Sequence, residues 1–166
     1  MTNTPLPWVY SDGGRAEAGY ASKTDKDCVT RAISIATRRP YNEIHETVDT
    51  VGAEDGVQGA AEAGVQLLAT AKLLIRDLRW KPVDAHRDAR LTLEDLEKQL
   101  AEHRVLIAEV EFSETQDTSE GRTCRVISHV TAIVDGVVHD IDGMANPATG
   151  EARICDRVVQ LYAPPD

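Results

Sequence analysis

The stretch that decides the fold is His129-Val-Thr-Ala-Ile-Val-Asp-Gly-Val-Val-His-Asp140, two short apolar runs joined by Asp135-Gly136. Asp-Gly between runs rich in β-branched residues is typical of a two-residue hairpin turn. The stretch therefore predicts two antiparallel strands whose pairing is fixed by the turn.

The predicted register places three polar side chains together. His129 lies directly opposite Asp142 and diagonal to Asp140. Side chains alternate along a strand, so these three point to one face of the hairpin and His139 points to the other. Either aspartate is therefore within reach of an imidazole nitrogen of His129.

Outside the hairpin, the periodicity of the apolar residues changes near Glu102. Helical periodicity dominates before it and strand-like runs follow it, which predicts an α+β fold with N-terminal helices packed on a C-terminal antiparallel sheet. We expect a single domain over residues 1–166, in which residues 1–25 are an irregular lead-in. The predicted helices begin near Cys28 and Pro40 and cover Val65–Leu78 and Leu93–Ala101; the predicted strands are Val105–Phe112, Arg125–Val134, Val137–Ile141 and Arg153–Tyr162, with a polar loop at 113–123.

Composition narrows the functional classes. The chain has 166 residues and a formal net charge of −10, which argues against a general nucleic-acid binder. We see no apolar run long enough for a membrane span and no secretory signal, so a cytoplasmic location is expected. Three widely spaced cysteines form neither a disulfide framework nor a CxxC zinc motif, and no metal or other cofactor is expected.

Of the three cysteines, Cys28 is the one whose predicted surroundings favour a reactive thiol. It follows Asp27 at the predicted start of a helix, which either Asp25 or Asp27 can cap, and a helix N-terminus stabilises a thiolate. Buried free cysteines are common core residues, and we interpret Cys124 and Cys155 on predicted strands in that way.

A thiol at a helix start, with a histidine and a carboxylate on a later hairpin, is the set that nucleophilic cysteine catalysis requires. The imidazole takes the thiol proton, and the carboxylate orients the ring. The alternative explanation of the same residues is a solvated hairpin face. A zinc site at Cys28 and His129 is also conceivable, but the sequence offers no closely spaced ligand pair.

Two blocks resemble a family of phage and bacterial papain-like cysteine peptidases. They are Asp27-Cys-Val-Thr-Arg-Ala-Ile33 and the 129–140 hairpin, and the likeness extends over residues 19–142. The resemblance implies a papain-like fold, a bacterial or phage origin, Cys28 as nucleophile, His129 as general base and Asp140 as the orienting carboxylate. Asp142, which the register favours, is the second choice.

One position departs from the family pattern. Papain-like enzymes commonly place an oxyanion-hole glutamine six residues before the nucleophile, and this chain has Ser22 there. The backbone N–H of Cys28, with Ser22, Lys23 or Thr24, is the candidate replacement. Loss of one such donor costs about 3–4 kcal/mol of transition-state stabilisation.

The resulting hypothesis is a cysteine-dependent hydrolase acting on a protein or peptide, as a peptidase or isopeptidase through a thioester; acyl transfer and deamidation use the same groups. The alternative is a papain-like scaffold, phage- or mobile-element-encoded, that binds a host protein without catalysis.

The stretch from 105 to 121 lacks Lys and Arg and carries five carboxylates. It is interpreted as a solvated edge or as an acidic rim that selects a basic segment of the substrate. The five are Glu109, Glu111, Glu114, Asp117 and Glu120.

Overall fold

The computed structural model describes residues 7–20, 26–64, 67–83, 93–118, 121–141 and 157–166. These residues form an α+β fold of five helices and one six-stranded sheet. The helices are α1 (Cys28–Thr37), α2 (Tyr41–Glu54), α3 (Ala60–Ala63), α4 (Leu67–Lys72), which continues into a π-helical turn (Leu73–Asp77), and α5 (Leu93–Glu102). The strands are β1 (Trp8–Tyr10), β2 (Lys81–Val83), β3 (Val105–Thr118), β4 (Gly121–Val134), β5 (Val137–Asp140) and β6 (Arg157–Ala163).

The helix that carries Cys28 forms where the periodicity predicts it. Apolar residues three and four apart place Val29, Ala32 and Ile33 on a buried face of α1. The helix ends at Arg38, whose φ of 56° lies in the left-handed region that terminates helices. Pro40, which the sequence predicts at the first position of α2, is instead its N-cap residue, and the helix begins one residue later at Tyr41.

Two apolar clusters lie on the sheet, and strand alternation assigns neighbouring residues to different clusters. Val130 and Ala132 pack with α1, α2 and the π-helical turn. Ile133 of β4, Val138 of β5 and buried apolar residues of β3 and β6 form the second cluster, against which Leu100 of α5 packs. Helical residues thus contact both clusters, which differs from the simple two-layer arrangement expected from the sequence.

The predicted hairpin is confirmed with its register. Val134 pairs with Val137, and Ala132 pairs with His139. Asp135 and Gly136 have φ values of 50° and 77°, the pair of positive angles that a type I′ turn requires. His139 is consequently on the opposite face of β5 from Val138 and Asp140, as the alternation predicts.

The prediction of a purely C-terminal, antiparallel sheet was wrong in two respects. The strand order β1-β5-β4-β3-β6-β2 includes β1 from the expected irregular lead-in and β2 from the middle of the chain. β1 also pairs with β5 in parallel, whereas the other pairings are antiparallel. Both strands have three residues, too short for side-chain alternation to reveal them.

The polar loop expected at 113–123 was also wrong. β3 and β4 continue through it as a paired ribbon, with Ser113 opposite Val126 and Thr118 opposite Gly121. Strand pairing satisfies backbone groups whatever the side-chain polarity, so a polar composition does not distinguish a ribbon from a loop.

The remaining helices follow the predicted order with altered limits. The third helical pattern is observed as α4 and the π-helical turn, and Val65 lies outside the described residues. α5 extends one residue beyond its predicted end, to Glu102. α3 was not predicted, because four residues are too few to show a helical period.

Among the described residues, no helix has the length and apolar character to cross a bilayer.

Candidate active site

Cys28 is the first residue of α1, directly after the N-cap residue Asp27. Burial alone would raise the pKa of its thiol. A hydrogen bond to His129 and the charge of that ring, a hydrogen bond with the backbone of Val130 and the charge of Arg31 outweigh burial and lower the pKa. N–H groups in the first turn of a helix also lack intrahelical acceptors and favour negative charge. The surroundings of Cys28 therefore stabilise a thiolate.

His129 on β4 contacts both other members of the predicted set. Its Nε2 lies 2.6 Å from Oδ2 of Asp140, and its side chain is 15 % exposed. Burial would lower the pKa of the imidazole, but hydrogen bonds with Asp140 and Cys28, together with their charges, raise it to about 10. Because Nε2 faces Asp140, Nδ1 is the nitrogen left for the thiol. The protonated ring is thus favoured next to the thiolate.

Asp140 ends β5 and completes the set. Its Oδ1 accepts the backbone N–H of Ile141 at 2.8 Å, and Nη2 of Arg31 lies 3.4 Å from the same oxygen. Burial would raise the pKa of this carboxyl, but the hydrogen bond to His129 and the charges of His129 and Arg31 lower it. Asp140 is therefore an ionised carboxylate with one oxygen directed at the imidazole.

Behind Asp140 lies a buried ionic cluster that sequence reasoning missed. Nη1 of Arg31 is hydrogen-bonded to Oδ1 of Asp27. Asp27 also accepts hydrogen bonds from Nη1 of Arg15, 3.1 Å from each carboxylate oxygen, and from the hydroxyl of Tyr41 at 2.9 Å. Asp27 occupies the expected N-cap position, but its carboxylate bonds these groups and makes no capping hydrogen bond to the first turn of α1.

Part of this cluster had a sequence signal. Asp27 and Arg31 are four residues apart, the spacing at which helical side chains meet, so their contact was predictable. Arg15 and Tyr41 join through chain folding and had no local signal. The negative charge of Asp27 also affects Tyr41. Burial, the hydrogen bond to Asp27 and the charge of Asp27 raise the pKa of the Tyr41 hydroxyl.

Several expected residues fall elsewhere. Asp142 and Cys155 lie outside the described residues, as do the oxyanion candidates Ser22, Lys23 and Thr24 and the possible cap Asp25. Cys124 lies on β4 opposite Thr115. The described side chains include no group of three or more histidines, cysteines or carboxylates arranged to hold a metal ion.

The acidic rim requires a correction at Glu109. This residue is only 3 % exposed and accepts a hydrogen bond from the hydroxyl of Tyr162 at 3.4 Å. Burial raises the pKa of its carboxyl to about 7, although the hydrogen bond from Tyr162 acts in the opposite direction. Because β3 alternates between two buried faces at this point, Glu109 is an interior group and cannot contact a substrate at the surface.

A cavity of about 680 Å³ lies beside α1 and β5. His139, Arg38 and Arg39 contribute to its lining, together with Ser34 of α1. Neither Cys28 nor His129 contributes to it.

Comparison of the chain with protein-family models, curated proteins and solved structures finds no match. The chemistry of the site therefore has to be inferred from its own geometry.

Proposed function

We propose that this protein is a cysteine-dependent hydrolase of papain-like architecture, acting as a peptidase or isopeptidase. One observation carries the proposal: Cys28, at the start of α1, is hydrogen-bonded to His129, whose Nε2 is 2.6 Å from Asp140. The opposite pKa shifts of thiol and imidazole support a thiolate–imidazolium pair, the reactive form of a catalytic cysteine. The order of the groups along the chain, an early helix followed by two later strands, supports the papain-like architecture.

The reaction that these groups support proceeds in two halves. Sγ of Cys28 attacks the carbonyl carbon of an amide, and the carbonyl oxygen becomes an oxyanion near the first N–H groups of α1. The imidazolium of His129 then protonates the departing amine, which leaves a thioester on Cys28. Water, deprotonated by His129, attacks the thioester, releases the acid and restores the thiolate. Asp140 orients the ring and stabilises its charged form in both halves.

The first experiment measures the alkylation of Cys28 by iodoacetamide as a function of pH, with the modified peptide quantified by mass spectrometry. We expect the midpoint for Cys28 to lie at least one pH unit below the ordinary thiol value of about 8.5, because His129 stabilises the thiolate. His129→Ala should raise the midpoint by more than one unit. A wild-type midpoint at the ordinary value would overturn the proposal.

The second experiment is cleavage of a peptide library. Cys28→Ala should abolish cleavage, and Asp140→Asn should lower kcat by at least about 10²-fold because the imidazolium loses its counter-charge. Cys124→Ser is the matched control, expected to retain full activity. Products in which an amine, instead of water, has accepted the acyl group from the thioester would show that the reaction is acyl transfer. A reactive Cys28 with no cleavage, transfer or deamidation of any peptide or protein offered would favour the non-catalytic binding scaffold.

A further inference from the structure

We propose that Arg31 is a positioning residue, which orients Asp140 and keeps it charged so that Asp140 can act on His129. This inference rests on the proposed function and deepens it: it assigns part of the catalytic apparatus to a buried arginine of the nucleophile helix itself. The role belongs to Arg31 because its guanidinium lies between the carboxylates of Asp27 and Asp140.

The first support is that the two carboxylate oxygens of Asp140 have different partners. Oδ1 receives the N–H of Ile141 at 2.8 Å and lies 3.4 Å from Nη2 of Arg31. Oδ2 is thereby directed at Nε2 of His129, at 2.6 Å. A carboxylate held through one oxygen cannot rotate freely, so the orientation of His129 depends on the groups that hold Oδ1.

The second support is burial. The side chains of Arg31 and Asp140 are 2 % and 3 % exposed. A carboxylate so far from water loses its hydration and takes up a proton unless an opposite charge lies nearby. His129 supplies such a charge only while it is protonated, and it gives up its proton during the reaction. Arg31 is charged at every step, so it keeps Asp140 anionic throughout the cycle.

The third support is that Arg31 is itself anchored. Asp27 holds its Nη1, and Arg15 and Tyr41 in turn hold Asp27. A planar guanidinium can donate from two nitrogens to two carboxylates at once, whereas a lysine ammonium is a point charge on a flexible stem. Positive and negative groups thus alternate from Arg15 to Cys28, which fixes the position of each one.

A purely structural role is the competing explanation, in which Arg31 only ties α1 to β5. The two roles differ in one measurable property. A structural tie affects the stability of the fold and leaves the protonation of the thiol unchanged in folded molecules that keep the positive charge at position 31. A positioning role moves the pH dependence of Cys28 reactivity even in Arg31→Lys, which retains the direct effect of that charge on the thiol, because a misplaced Asp140 no longer supports the imidazolium.

The experiment is the alkylation midpoint of Cys28 in Arg31→Gln, with Arg15→Gln as the matched control. Both variants remove a buried arginine from Asp27, but only Arg31 contacts Asp140. We expect Arg31→Gln to raise the midpoint by about one pH unit. Arg15→Gln should lower the Tm and keep the wild-type midpoint. Arg31→Lys keeps the charge without the planar fork and should raise the midpoint by about half as much, which provides a second variant if Arg31→Gln does not fold.

Each outcome decides a different point. A low midpoint in the wild type that stays unchanged in Arg31→Lys overturns the positioning role and leaves the proposed function intact, because a rise confined to Arg31→Gln would come from the lost charge acting directly on the thiol. A wild-type midpoint at the ordinary thiol value overturns the proposed function itself. A midpoint that rises equally in Arg15→Gln and Arg31→Gln also overturns the role, since the effect would then come from the cluster as a whole.

Discussion

Cys28 and His129 illustrate how a buried pair changes the chemistry of each partner. Burial opposes the charged form of each group, and each group offsets that cost for the other. The neutral thiol and neutral imidazole would lose this mutual attraction. The protonation of one group is therefore coupled to that of the other, and a titration reports the apparent pKa values of the pair.

Glu109 gives a separate prediction at the same scale. The pKa of its carboxyl is about 7 in the folded protein, against an ordinary value of 4.5. Between these values the unfolded chain has lost a proton that the folded chain still holds, so the free energy of unfolding falls as pH rises and levels off above about 7. Glu109→Gln should therefore stabilise the fold at pH 8 by roughly 3 kcal/mol more than at pH 4. Urea unfolding at both pH values measures this difference.

The companion variant for Glu109 is Tyr162→Phe. Removing the hydroxyl leaves the carboxyl buried without its donor, so the loss of stability with rising pH should be larger than in the wild type. Identical pH dependence in the wild type and in Glu109→Gln would contradict the assignment of Glu109 as a buried acid.

Among the elements, the β4–β5 hairpin controls the position of Asp140 through its turn. Gly136 has a φ of 77°, and a Cβ added to it would have no heavy atom outside its chain neighbours within 4 Å. The cost of Gly136→Ala is consequently backbone strain alone, about 1–2 kcal/mol. Gly136→Asn should cost less, because asparagine tolerates the left-handed region. Thermal unfolding compares the two variants, and equal losses in both would show that φ is not the cause.

The elements also show which parts of the fold were readable in the sequence. The Asp-Gly turn determined the register of β4 and β5, and periodicity located α1, because both depend on neighbours along the chain. The register alone favoured Asp142 as the residue opposite His129, whereas the observed contact is the diagonal one to Asp140. The imidazole side chain is long enough to reach the diagonal neighbour on the paired strand, whereas the register favours the residue directly opposite. The parallel pairing of β1 and the contact between Arg31 and Asp140 depend on distant residues and had no local pattern.

For the molecule as a whole, the net charge of −10 leads to a prediction about substrate choice under the proposed function. Removing the buried Glu109 from the expected rim leaves four carboxylates, at Glu111, Glu114, Asp117 and Glu120; Glu120 and the side chains of Glu114 and Asp117 lie outside the described part of the structure. We predict that kcat/KM for a lysine-rich peptide falls several-fold between about 0.02 and 0.5 M salt, while that for a neutral peptide is constant. Steady-state kinetics on the two peptides measures the effect.

A pair of charge variants tests whether this effect is local. Neutralising the four rim carboxylates should remove the salt dependence. Neutralising four exposed helical carboxylates changes the net charge by the same amount and should preserve most of it; the four are Glu46, Glu62, Glu97 and Glu102. If the two variants behave alike, the rim has no role in selecting the substrate.

The contact between Arg31 and Asp140 joins residues 109 positions apart, which has a consequence for synthesis of the protein. During translation, Cys28 and Arg31 are synthesised well before the residues of β4 and β5. Until those strands emerge and pair, the thiol has no imidazole beside it and retains the low reactivity of an ordinary cysteine. On the proposed function, the nucleophilic reactivity of Cys28 therefore arises in the same event that completes the fold.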